Sequence, residues 1–142
     1  MISERLLAIS CAPPTVADSP GGILRLPFVY GDGDEHLASA SRLVAAFKWH
    51  PARTFSLAHQ RDVARAVELA LSGVMDGRIV NIVDDAPTTL YEMASIVGAA
   101  IEPSAEPLTH PWMGRMDGSR SRSLGFRPTI STVYQAAQEG IL

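Results

Sequence analysis

The sequence has few of the features that mark disulfide-bonded, membrane-spanning or nucleic-acid-binding proteins. It contains one cysteine, Cys11, so no internal disulfide can form, which predicts a reducing, cytoplasmic location. No apolar run approaches the roughly 20 residues of a membrane-spanning helix. Glu4 stands where a secretory signal carries only positive charge. The net charge of -3 argues against nucleic acid as a partner, because phosphate binding needs a concentrated cationic face.

The motifs that usually carry catalytic chemistry are missing as well. No glycine-rich dinucleotide loop of the form G-x-G-x-x-G occurs, and Gly31-Asp-Gly33 reads as a turn in which Asp32 and Asp34 would repel phosphate. The four histidines are dispersed without a metal-binding spacing. A G-x-S-x-G nucleophile motif is absent. The sequence therefore predicts neither a catalytic residue nor a metal ligand.

One pair of residues suggests chemistry. His59 and Asp62 lie three positions apart at a predicted strand-to-helix junction. We interpret Asp62 as the cap of the following helix and His59 as a packed, hydrogen-bonded side chain. The alternative is that His59 acts as a general base, which also requires a suitably placed substrate.

Helix and strand patterns alternate along the chain, which predicts an α/β fold with too few strands to complete a doubly wound sheet. The strand between Gly22 and Gly31 is buried, with Pro27 at its end or at a bulge. S/T-x-x-E/Q patterns predict capping boxes at Thr89 and Thr132. The predicted helices cover 2–9, 36–47, 63–71, 93–101 and 119–124 with a last one from about 131, and the other strands cover 54–58 and 78–83.

Four segments resemble, in order, motifs of the extended short-chain dehydrogenases, the NAD-dependent epimerase/dehydratase family, whose members act mostly on nucleotide sugars. Residues 24–31 resemble L-R-x-x-x-V-Y-G, and residues 55–64 resemble F-x-x-V-H-V-x-D-V-A. Residues 81–92 are similar to N-V-G-x-x-x-P-x-T-L-x-E, and residues 117–128 to D-x-S-K/R-A-x-x-x-L-G-W/F-x-P.

The resemblance implies a fold with part of a Rossmann-like sheet and the small α/β substrate-binding C-terminal domain of that family. Residues 1–142 would form a single unit, with 1–31 and 54–72 packing on a missing dinucleotide-binding half. Residues 3–7 resemble the helix that follows the family's catalytic Y-x-x-x-K motif, whose lysine would precede Met1. Tyr30, Tyr91 and Tyr134 are not followed by lysine four residues later. The resemblance thus implies a chain that is not catalytically complete alone.

The resemblance also implies where ligands would lie. Pro27 and Val29 match positions beside the nicotinamide, and Phe28 matches a substrate-binding position where many epimerases have asparagine. NAD or NADP would bind the parent enzyme, with none bound by this chain alone. The implied partners are a nucleotide-sugar-like substrate in the parent enzyme and either further copies of this chain, in a homo-oligomer, or a partner chain that covers the exposed sheet.

A second departure from the family pattern concerns the diphosphate. The family often has an arginine at the position of Phe55, and Arg53 or Arg115 could serve instead. The alternative is that both arginines are solvated on loops. At the level of the whole chain, the alternative to an enzyme portion is a non-catalytic interaction or self-association module.

Overall fold

The computed structural model describes residues 8–9 and 21–142 of the chain. Seven short strands, one 3-10 turn and five helices follow one another in this part of the protein. The strands are β1 (Ala8–Ile9), β2 (Ile23–Arg25), β3 (Phe28–Tyr30), β4 (Thr54–Phe55), β5 (Leu57–His59), β6 (Ile79–Asn81) and β7 (Thr88–Thr89). The helices are α1 (Ala40–Phe47), α2 (Gln60–Leu71), α3 (Leu90–Ile96), α4 (Ser119–Ser123) and α5 (Val133–Glu139), and the 3-10 turn Leu37–Ser39 leads into α1.

The strands form three small sheets. Strands β1, β2 and β6 are parallel in that order, and Ile23, Leu24 and Arg25 of β2 pair with Ile79, Val80 and Asn81 of β6. Strands β3 and β5 form a separate parallel pair, whereas β4 and β7 are antiparallel. Parallel pairs need crossover connections, and helices lie in the segments that join β2 to β6 and β3 to β5.

Each parallel sheet has its own hydrophobic core. Helix α2 packs Ala66 and Ala70 against Leu24 and Val80 of the three-stranded sheet. The second core surrounds β3 and β5 and takes side chains from the 3-10 turn, α1, α3 and α5. Its fully enclosed members are Tyr30, Leu37, Ala40, Leu57, Leu90, Met93, Ile130, Val133 and Ala136.

The segment predicted as a single buried strand between Gly22 and Gly31 is two strands that belong to different sheets. The break falls at Leu26 and Pro27, where the proline has no N–H to donate to a ladder. The predicted strand at 54–58 divides in the same way, at Ser56. The Phe28 N–H donates to the Ser56 carbonyl oxygen at 3.3 Å, so the two breaks lie side by side.

The helix predicted over 2–9 is wrong at its end, because Ala8 and Ile9 form strand β1 beside β2. Its other residues, and Cys11, lie outside the described part of the chain. The helix predicted over 93–101 starts earlier, at Leu90, and ends at Ile96. Within the described residues, no helix combines the length and apolar character needed to cross a membrane.

The capping predictions have mixed outcomes. At Thr89 the box is complete, because Thr89 accepts from the Glu92 N–H and Glu92 accepts from the Thr89 N–H. At Thr132 only one half forms, since the Gln135 side chain accepts from the Ser131 N–H instead. The prediction that Asp62 caps α2 is wrong. His59 is the cap, and its Nδ1 accepts from the Arg61 N–H at 3.2 Å.

Asp62 instead joins the start of α2 to the segment that precedes α5. Its carboxylate accepts from the Thr129 N–H at 2.8 Å, the Thr129 hydroxyl at 2.7 Å and the Ile130 N–H at 2.9 Å. Only 1% of the residue is exposed. A buried carboxylate is tolerated when its lone pairs are satisfied in this way, so the residue ties together two parts of the chain that are distant in sequence.

We expect Asp62→Ala to lower the free energy of unfolding by about 3 kcal/mol, because the buried Ile130 N–H and two part-buried donors of Thr129 lose their acceptor. Urea unfolding followed by circular dichroism measures the change. The matched control is Glu68→Ala on the exposed side of the same helix, which should change it by less than about 0.5 kcal/mol. Equal losses in both variants would contradict the role assigned to Asp62.

Candidate functional site

A cavity lies between the connection from α1 to β4 and the long loop that follows α3. Its volume is about 460 Å³. The loop is held in place by the His50 ring, whose Nε2 lies 2.9 Å from the Glu106 carbonyl oxygen, and by the Thr54 hydroxyl, which donates to the Pro111 carbonyl oxygen at 2.9 Å. The lining residues are Lys48, Trp49, His50, Arg53, Ser104, Glu106, Pro107, Leu108, Thr109, His110 and Met113.

Arg53 is the most constrained cation of this cavity. Its guanidinium carbon lies 5.4 Å from the ring centre of Trp49 and 5.5 Å from that of Phe55. Trp49 in turn stacks on Phe47 with the ring centres 4.9 Å apart. Cation–π contacts of this kind orient a guanidinium while leaving its N–H groups available. The buried Nε atom of Arg53 has no hydrogen-bond partner among the described residues.

The charge of the cavity favours an anionic ligand. Lys48 and Arg53 are cations that line it, and Glu106 is the one carboxylate among its lining residues. His50 and His110 also line it. An anion that displaces water here would meet a preoriented guanidinium beside an apolar aromatic wall.

Arg115, the other arginine expected at a diphosphate, does not line this cavity. Its guanidinium lies 5.5 Å from the ring centre of Trp112, and both residues are exposed. The bridge between Phe55 and Gly114 nevertheless brings the Arg115 segment next to β4. The structure thus places the two arginines on neighbouring segments and gives only Arg53 a concave setting.

Residues Pro27, Phe28 and Val29 lie where the chain passes from the three-stranded sheet into the β3–β5 pair, a segment here called the step between the sheets. All three are half-buried. Phe28 meets the His36 ring edge to face, with ring centres 6.3 Å apart, and packs against the core that also contacts Phe55. The step therefore presents an apolar wall close to the aromatic cluster around Arg53.

A group of buried titratable side chains lies at the ends of β3 and β5. His59 is fully buried, and the Tyr30 ring meets it edge to face with ring centres 5.2 Å apart. The His59 Nδ1 accepts from the Arg61 N–H, so Nε2 carries the proton and donates to the Ile141 carbonyl oxygen at 2.8 Å. Both ring nitrogens are occupied. The interpretation of His59 as a packed, hydrogen-bonded residue is confirmed.

Asp84 is the unusual carboxyl of this group. It is 6% exposed, its Oδ1 accepts from the Ala86 N–H at 3.2 Å, and its buried Oδ2 has no partner. Burial, reinforced by Asp85, raises the pKa of Asp84 to about 7, although Arg122 opposes the shift. The Asp85 side chain diverges from it and pairs with Arg122 at 2.7 Å. Burial likewise raises the pKa of Tyr30, whose buried hydroxyl is also without a partner.

Several of these residues could not be identified as site residues from the sequence. His50 and His110 are 60 positions apart and meet at one cavity only because the long loop folds back over the α1–β4 connection. Asp84 reads as a turn residue, and its burial depends on contacts from β5 and α4. The short run of aromatic and basic residues from Phe47 to His50, just after a helix, is the one local signal.

Comparison with known proteins assigns the fold. No protein-family model matches the sequence, and no curated protein is significantly similar to it. The dTDP-glucose 4,6-dehydratase DesIV from Streptomyces venezuelae, solved with NAD bound, superposes with a TM-score of 0.56 and 23% identity over 82% of this chain and 41% of the enzyme. The Bordetella bronchiseptica enzyme WbmF, solved with NAD+ and UDP, gives a TM-score of 0.53 and 18% identity over 85% of this chain and 47% of that one.

These similarities confirm the α/β fold expected from the motifs. The chain shares the fold of the matched part of each of these two enzymes. The chain spans less than half the length of either enzyme. At these identities the likeness establishes the fold, while activity has to be argued from the residues.

We expect the contribution of Asp84 to the stability of the protein to fall as the pH rises from about 4 to 7. Its folded pKa lies above the unfolded value of 3.8, so the folded state holds the proton longer and is destabilised as the proton is lost. Asp84→Asn removes this dependence. The stability of the variant relative to the native protein should therefore increase by about 2 kcal/mol between pH 5 and pH 8.

Urea unfolding at the two pH values measures this difference. Glu68→Gln, which likewise replaces a carboxyl group by an amide but on an exposed part of α2, is the control and should keep the native pH dependence. A constant difference between Asp84→Asn and the native protein would show that Asp84 ionises normally.

Proposed function

We propose that this chain is the substrate-side portion of a cytoplasmic NAD(P)-dependent oxidoreductase that acts on a nucleotide sugar or a similar diphosphate, and that it is not catalytically complete alone. The observation that carries the proposal is the Arg53 guanidinium, packed against both Trp49 and Phe55 in a cationic cavity. The fold supports it, because both similar structures are enzymes solved with NAD bound.

We propose that Arg53 makes the diphosphate contact expected of an arginine at the position of Phe55. Residues two apart in an extended segment project to the same side, and Thr54–Phe55 is the strand β4. An arginine at 53 can therefore serve a ligand on the side that Phe55 faces. The contact between the two side chains supports this substitution of one position for another.

The nicotinamide and the catalytic groups would come from a dinucleotide-binding half. We propose that residues 1–31 and 54–72 pack against that half, which would bind NAD or NADP and supply the proton-shuttling tyrosine and lysine. The sequence of this chain contains no Y-x-x-x-K, which is consistent with such a division.

The step between the sheets would then face the reacting groups. Pro27 and Val29 would lie along the nicotinamide and Phe28 beside the sugar. Their half-buried apolar surfaces can exclude water from a hydride-transfer site. Phe28 offers no hydrogen bond to a sugar hydroxyl, so this wall would select substrate by shape.

We expect the chain to bind UDP, used as a diphosphate probe, and Arg53→Gln to weaken this binding roughly 10- to 100-fold through loss of a charge-assisted contact. Isothermal titration calorimetry measures the dissociation constants. Arg65→Gln, on the exposed part of α2, should bind as the native protein does. Unchanged binding by Arg53→Gln, or no binding by the native chain, would contradict the assignment of the cavity.

Isothermal titration calorimetry also tests whether NAD binding requires the proposed dinucleotide-binding half. NAD should show no tight binding to the chain alone, because the residues proposed to contact it form only one wall. A tight NAD complex in the absence of a partner chain would overturn the proposed missing half.

A self-association or interaction module is the second candidate, favoured by large apolar side chains at the surface. Phe47, Trp112 and Met113 are 60%, 68% and 66% exposed. Apolar surface of this kind marks association sites when it is contiguous. Size-exclusion chromatography with light scattering should then report a dimer or larger species that Trp112→Ser converts to monomer. A monomer at all concentrations for the native chain would count against this candidate.

A further inference from the structure

Three arginines converge on a cleft that the proposed function does not use. Two adjoining clefts of about 390 and 340 Å³ share Ile79 and Arg120, so they form one continuous concave surface. The described residues that line this surface, here called the arginine cleft, are Arg25, Gly77, Arg78, Ile79, Asn81, Asp117, Ser119 and Arg120.

The strand register explains why Arg25 projects into the cleft. Arg25 and Asn81 are register partners in the parallel β2–β6 pair, so their side chains share a face of the sheet. Leu24 and Val80 take the opposite face, where α2 covers them. The arginine cleft therefore lies on the face of the sheet away from α2.

Backbone contacts hold the α4 segment over the same strand. The Arg120 guanidinium donates to the Ile79 carbonyl oxygen at 3.0 Å, and the Asn81 side chain donates to the Asp117 carbonyl oxygen at 2.9 Å. Arg120 is thereby positioned at β6 with most of its N–H groups unused. Arg78 reaches the cleft from the turn that precedes β6.

The cleft carries a net positive charge on an acidic protein. Arg25, Arg78 and Arg120 face a single lining carboxylate, Asp117, which accepts from the N–H and the hydroxyl of Ser119, both at 2.9 Å. These bonds lower the pKa of Asp117. The salt bridges within residues 21–142 involve none of the three arginines. The whole chain has a net charge of -3, so this local excess does not follow from composition.

We propose that the arginine cleft binds the phosphate group of a small molecule, or free phosphate, at a site separate from the cavity around Arg53. A phosphate group has several oxygens, and guanidinium groups from three parts of the chain can contact them. Each guanidinium can offer two parallel N–H donors. Asn81 and Ser119 add neutral polar groups at the rim.

The test is a titration of the isotope-labelled chain with inorganic phosphate and with pyrophosphate at constant ionic strength, followed by amide NMR shifts. It is done in the Arg53→Gln variant, which removes the main anion contact of the other cavity. We expect saturable shifts at Gly77, Ile79 and Ser119. Stronger binding of pyrophosphate would indicate a diphosphate or phosphoester ligand, and equal binding would indicate a single phosphate.

Arg78→Gln should weaken the titration at least 10-fold, and Arg65→Gln, the matched control on α2, should leave it unchanged. Both variants are first compared with the parent by thermal unfolding; within residues 21–142 the Arg78 side chain makes no salt bridge. Non-saturable shifts, or equal binding by Arg78→Gln and Arg65→Gln, would overturn the proposal. Loss of UDP binding in Arg53→Gln with phosphate binding retained here would show that the two sites are independent.

Discussion

The Asp62 carboxylate lies at the start of α2, is 1% exposed, and accepts three hydrogen bonds from Thr129 and Ile130. A carboxylate in this setting is stable only while those donors are present, and the donors are satisfied only while the carboxylate is there. The interaction spans 67 residues of sequence and orients the segment that enters α5. Helix α5 then contributes Val133 and Ala136 to the core around β3 and β5. The packing of α5 on the β3–β5 pair, which carries Phe28 and Val29, thus depends on the hydrogen bonds of Asp62.

The paired breaks at Pro27 and Ser56 are the second constraint on the architecture. Each break moves the chain from one sheet to another, and the Phe28 N–H bond to the Ser56 carbonyl oxygen couples them. As a result β3 and β5 stand apart from the three-stranded sheet, and the β4 segment is free to carry Arg53 and Phe55 toward the long loop after α3. A proline at such a transfer point removes a ladder donor that would otherwise favour one continuous strand.

Two concave cationic surfaces result, and they differ in character. The Arg53 cavity combines a guanidinium with Trp49 and Phe55, a setting suited to an anion attached to an organic group. The arginine cleft has guanidinium and polar groups with little apolar wall, which suits a phosphate group by itself. The buried oxygens of Tyr30 and Asp84 that have no partner among the described residues belong to neither surface, and burial raises the pKa of Asp84 to about 7.

Local chemistry was enough to predict the α/β alternation, the Thr89 capping box, the turn at Gly31–Asp34 and, through four spaced motifs, the fold. These features depend on residues within a few positions of one another or on motifs that can be read directly in the sequence. The role of Asp62 could not be read this way, because a carboxylate three residues into a helix looks like a cap until Thr129 and Ile130 are folded against it. Arg53 and Arg115 were indistinguishable in sequence, and only the packing of Trp49 and Phe55 gives Arg53 its place in the cavity. Burial and charge convergence depend on residues far apart along the chain, so the tertiary structure alone decides them.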